Sequence, residues 1–126
     1  MDGVPEKKAI IVVEDNEPIA ELVKDTLNAE PDYQAVTVND GAQALEVIRS
    51  VKASLILLDL HLPGLDGLQI YDLLQQDTNT RDIPVLFLTA NFEDRRFRER
   101  GYTNYLAKPF DLDVLLARVA AVCRPE

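Results

Sequence analysis

Apolar residues along this chain follow two rhythms. Unbroken runs such as Ile10–Val13, Leu55–Leu58 and Pro84–Leu88 alternate with longer stretches where apolar residues recur every three or four positions. A short continuous run suits a parallel strand buried on both faces, and the wider spacing suits a helix with one apolar side. With Tyr33–Val38 and Tyr105–Ala107, the runs predict five strands. Between them, Pro18 suits a first helical position, and Ile19, Leu22, Val23 and Leu27 are expected to share one apolar face. Asp40 and Gln43 have capping-box spacing for a second helix ending near Arg49. Asp66 suits the cap of a third helix, with Ile70, Leu73 and Leu74 inward. A short polar helix is expected from Phe92 to Arg100, closed by Gly101. Asp111 opens the last helix, with Leu112, Leu115, Leu116 and Val119 at helical spacing. Strand and helix alternate throughout, which implies βαβ units and a parallel α/β sheet. No repeat or linker interrupts the pattern, so one domain is expected over 8–123, with tails at 1–7 and 124–126.

Polar residues stand at the carboxyl ends of four of these strands. Glu14 and Asp15 follow the first, Asp59 the third, Thr89 the fourth and Lys108 the fifth. Ligands of open α/β sheets bind at that edge. Each residue also has an ordinary explanation. Glu14 and Asp15 could charge the first turn of the following helix, Thr89 could be a cap, and Lys108 could be a solvated surface lysine. Asp59 could be a loop residue. Their joint placement makes a more specific site. Carboxylates crowded at one edge repel one another, and a hard divalent cation such as Mg2+, which takes oxygen ligands, relieves that repulsion. A lysine reaches phosphate oxygens, a hydroxyl can donate to an oxyanion, and an aspartate can become an acyl phosphate. Phosphoryl transfer asks mainly for positioning and charge stabilisation. Asp59 is the candidate nucleophile.

The stretches VVEDN (12–16), LILLDLHLPGLDG (55–67), PVLFLTA (84–90) and YLAKPF (105–110) resemble those of response-regulator receiver domains of two-component signalling. The resemblance spans about Lys8 to Cys123. It implies a flavodoxin-like (βα)5 three-layer sandwich with strand order 2-1-3-4-5. It also implies Asp59 as phosphoacceptor, with Glu14, Asp15, Asp59 and the backbone carbonyl of His61 as Mg2+ ligands. Thr89 and Lys108 would contact the phosphoryl group, and Thr89 and Tyr105 would be the switch pair. His61 and Asn91 would modulate hydrolysis, and the Lys108–Pro109 peptide would be cis. The implied partners are a histidine kinase or phosphotransfer protein and an unidentified downstream protein. The domain would catalyse only its own phosphorylation and dephosphorylation.

Composition narrows the setting. A chain of 126 residues with 47% hydrophobic content can bury a core. A net charge of -9 argues against direct nucleic-acid binding, which needs a basic face. No apolar run approaches the roughly 20 residues of a transmembrane helix. The start, Met1-Asp2-Gly3-Val4-Pro5, lacks the plan of a signal peptide. The single cysteine, Cys123, leaves no internal disulfide, and a cytoplasmic location is expected. No output domain follows the last predicted helix, as expected of a free-standing receiver or of a piece of a longer protein.

Three other functions use similar parts. An aspartate-nucleophile phosphatase would need D-x-D-x-T, whereas Leu60-His61-Leu62 follows Asp59. A flavin or nucleotide module needs a glycine- or hydroxyl-rich phosphate cradle after the first strand, where Glu14-Asp15-Asn16-Glu17 stands. A constitutive docking module would keep the fold without phosphorylation. Against the family pattern, Thr89 and Lys108 lie about three residues closer than usual, nearly one helical turn. The arginines 95, 96, 98 and 100 are interleaved with Glu93, Asp94 and Glu99, which suits a partner-docking patch or, as the favoured expectation, a solvated helix with internal ion pairs. Where dimerising receivers carry acids before the switch tyrosine, Thr103 and Asn104 stand, so Arg118 is expected to lack local partners. A monomer or weak homodimer follows.

Overall fold

The computed structural model describes residues 7–90, 95–102 and 104–123. The strands are β1 (Lys8–Val13), β2 (Tyr33–Val38), β3 (Leu55–Asp59), β4 (Val85–Thr89) and β5 (Tyr105–Ala107). The helices between and after them are α1 (Glu17–Asn28), α2 (Gly41–Ser50), α3 (Gly67–Gln76), α4 (Arg95–Glu99) and α5 (Leu112–Cys123). All strand pairs are parallel, in the order β2-β1-β3-β4-β5. This is the expected flavodoxin-like arrangement.

The sheet divides two apolar layers, because successive side chains of a strand point to opposite faces. Ile11, Val13, Ile56, Leu58 and Phe87 pack with α2, α3 and Phe97 of α4. Ile10, Val12, Leu55, Leu57 and Leu86 pack with α1 and α5. β1 from Ile10 onward and all of β3 and β4 are buried, which explains their unbroken apolar runs.

Local chemistry starts the helices where the sequence suggests. Asn16 caps α1 by accepting from Ile19 N, with Pro18 in the first turn. Asp40 accepts from Gln43 N at the start of α2. Asp66 and Gln69 form a reciprocal capping box on α3. Gly101, at φ 69°, turns the chain out of α4. One face expectation fails. Leu22 is 51% exposed, while Ala20, Val23 and Leu27 are buried. At about 100° per residue, the buried arc of α1 centres on those three, and Leu22 falls outside it. The expected start of α4 at Phe92 lies outside the described residues.

Candidate functional site

The carboxyl edge of the sheet gathers the predicted residues. Glu14 leaves β1 directly after Val13 and is almost wholly buried, its N–H donating to Val38 O at 3.0 Å. Asp59 ends β3, is 4% exposed, and accepts from His61 N at 3.1 Å. Asp15 is exposed, yet one oxygen each of Glu14, Asp15 and Asp59 lie within 4.8 Å of one another. Lys108 Nζ sits 2.6 Å from Glu14 Oε1 and 3.2 Å from Asp59 Oδ2. Its backbone N–H donates to Thr89 O at 2.8 Å, which ties the end of β5 to that of β4. Thr89 is fully buried at the end of β4. The Lys108–Pro109 peptide is cis, as the resemblance implies.

The loop after β3 is held close to Asp59. Gly67 donates its N–H to Leu60 O at 2.9 Å. A Cβ on Gly67 would lie 2.3 Å from the backbone oxygen of Asp59, so only glycine fits there. The start of α3 thus rests against the peptide that positions the candidate nucleophile.

Charge at the site is unbalanced, because three carboxylates meet one ammonium. Burial pushes the Glu14 carboxyl above its usual value; Lys108 partly offsets this, and Asp59 adds to it. Burial acts to lower the Lys108 ammonium, but Glu14 and Asp59 together hold it above the usual lysine value. Glu14 Oε2 accepts from Asn16 N at 3.1 Å. Its Oε1 is sealed from solvent without a hydrogen bond, so the contact with Lys108 is an ion pair lacking hydrogen-bond geometry. A buried oxygen of that kind, within a set of three carboxylates, fits a hard divalent cation.

The other predicted residues lie around this centre. His61 is exposed in the loop after β3. Tyr105 begins β5, half-buried, with its ring edge-on to Phe97 at 5.4 Å. Asn91 lies outside the described residues.

One expectation about arginines needs correction, and another gains partners the sequence did not suggest. Arg118 does have a local partner, because its Nη2 donates to Asn104 Oδ1 at 3.3 Å. Asn104 also donates from Nδ2 to Val85 O at 2.6 Å, so an amide does the joining where an acid was sought. Around α4, Glu93 and Asp94 lie outside the described residues. Arg95 pairs with Glu99 as expected, and in addition Arg96 reaches Asp66 and Arg100 reaches Asp72, both at 2.7 Å across to α3. Helical spacing could not show those partners, which lie 30 and 28 positions away.

Fold and site together define a parallel α/β domain with an acid-lined cleft at its carboxyl edge. The response regulator receiver domain family matches residues 10–120, and the chain belongs to that family. It is 42% identical to the phosphate regulon transcriptional regulatory protein PhoB of Klebsiella pneumoniae, over 93% of this chain and 52% of that protein. It is 36% identical to the DNA-binding dual master transcriptional regulator RpaA of Synechocystis sp., over 91% of this chain and 48% of that protein. The chain thus spans about half the length of the curated relatives it matches. The receiver domain of the sensor histidine kinase PA1611 from Pseudomonas aeruginosa PAO1 superposes with a TM-score of 0.84 at 29% identity, covering 94% of this chain and 99% of that one. That structure holds a magnesium ion coordinated in its active-site cleft. Among the described residues, no helix is long and apolar enough to cross a membrane.

Proposed function

We propose that this receiver accepts a phosphoryl group on Asp59 from a histidine kinase or phosphotransfer protein, with Mg2+ bound, and thereby changes its affinity for a downstream protein. One observation carries this reading. A nearly buried aspartate at the end of the central strand lies within reach of two further acids and 3.2 Å from an ammonium.

Glu14, Asp15, Asp59 and the carbonyl of His61 would hold the cation, which supplies charge neutralisation to the incoming phosphoryl oxygens. An Asp59 oxygen attacks phosphorus, and the bond to the donor nitrogen breaks, with its electron pair leaving on that nitrogen. Lys108, whose Nζ lies 3.2 Å from Asp59 Oδ2, would face the new oxygens, and the Thr89 hydroxyl would donate to one. Moving these groups toward the phosphoryl would draw Tyr105 inward and alter the face around it, a population shift driven by local charge. His61 and Asn91 would tune hydrolysis of the acyl phosphate. On this reading the chain turns over no external substrate, works in the cytoplasm, and leaves any nucleic-acid contact to other sequence, in keeping with its charge of -9.

Intact-mass analysis after incubation with acetyl phosphate tests the proposal. The wild type should gain one phosphoryl mass with Mg2+ and lose that gain without it, and Asp59→Asn should gain none. An unchanged label in Asp59→Asn would remove Asp59 from the role.

A further inference from the structure

Short α4 is fastened to α3 by two ion pairs that cross between the helices. Arg96 Nη1 reaches Asp66 Oδ2 at 2.7 Å. One turn further on, Arg100 grips Asp72 with both terminal nitrogens, at 2.7 and 3.0 Å, a bidentate geometry. Asp66 has two tasks. Its Oδ1 caps α3 through Gln69 N, which closes the loop that begins at Asp59, and its Oδ2 holds α4. Next to Arg96 stands Phe97, the one buried residue of α4, and the Tyr105 ring rests against it. A continuous path therefore runs from the phosphoacceptor loop through Asp66 and Arg96 to the aromatic ring beneath the switch tyrosine.

We propose that the Asp66–Arg96 and Asp72–Arg100 pairs form a clasp that holds α4 in the resting position, and that switching requires it to open. The inference rests on the phosphorylation reading above. Partly exposed pairs contribute little to global stability. A switch balanced between two states needs only a small bias, so pairs made in one state alone shift it measurably. Asp66 and Arg96 are positioning residues here, since they act through the loop and through Phe97.

The test measures affinity for beryllofluoride, a phosphoryl mimic, in the presence of Mg2+, using wild type, Arg96→Gln, Asp66→Ser and the double variant. Serine keeps the helix cap but is too short to reach Arg96. Arg95→Gln is the control, because it removes the same charge from the same helix, and among the described residues the Arg95 ion pair is with Glu99 and not with α3. Each clasp variant should bind about threefold more tightly than wild type, as expected for loss of one surface pair. The double variant should match either single one, and Arg95→Gln should match wild type. The proposal is overturned by single variants that bind like wild type or more weakly, by effects that add in the double variant, or by an equal effect of Arg95→Gln. Failure of the wild type to bind beryllofluoride would instead bring down the phosphorylation reading, and the clasp with it.

Discussion

Glu14 shows how far one residue can be read. The sequence places it at a strand end, but whether it merely charges a helix start depends on burial and neighbours. It is buried, paired with Lys108 and crowded by Asp59. Its raised carboxyl value means that the native state holds the proton more tightly than the unfolded chain does. Its contribution to stability is therefore complete below the ordinary glutamate value and is lost as pH rises through the raised value. Glu14→Gln lacks that loss. In magnesium-free buffer, urea midpoints of the variant should rise relative to wild type as pH increases through this window. A difference independent of pH would show that the Glu14 carboxylate carries no such penalty. Added Mg2+ should then stabilise wild type more than the variant, because a ligand that binds only the native state stabilises it.

At the scale of elements, strands were legible and helix faces were less so. β3 and β4 are buried at every position, so their apolar character appears in sequence without interruption. α1 presents more apolar residues than its buried arc can hold, and periodicity alone could not say which would be left out. Leu22→Glu should change the unfolding free energy by no more than about 0.5 kcal/mol, as for a surface substitution. Leu27→Ala should cost about 2–5 kcal/mol through the cavity it leaves. Urea denaturation of both variants checks this, and a large cost at Leu22 would contradict the assigned face. α4 was the least legible element. Its five residues bury only Phe97, and the pairs that Arg96 and the following Arg100 make toward α3 carry no periodic signal.

For the whole molecule, what matters is that separate strand ends meet. Residues 14, 59 and 108 are far apart in sequence but share one cleft, because parallel strands place all their carboxyl ends on one edge. The same scale decides association. Arg118 is held by Asn104 within the chain, and no acid stands at that point to pair across a dimer. Sedimentation at micromolar concentration should show a monomer or weak dimer, and a tight dimer through β5 and α5 would contradict this.

The sequence by itself determined the alternation of strands and helices, the caps at Asp40 and Asp66, and which polar residues end which strands. These depend on local period and local hydrogen bonding, which a linear chain displays. The strand order came with the family resemblance, and the tertiary structure bore it out. Only the tertiary structure decided that Leu22 faces solvent, that Arg118 finds Asn104, and that Arg96 and Arg100 pair with Asp66 and Asp72. Those outcomes depend on distances between residues remote in sequence, and packing sets such distances after the local pattern has done its part.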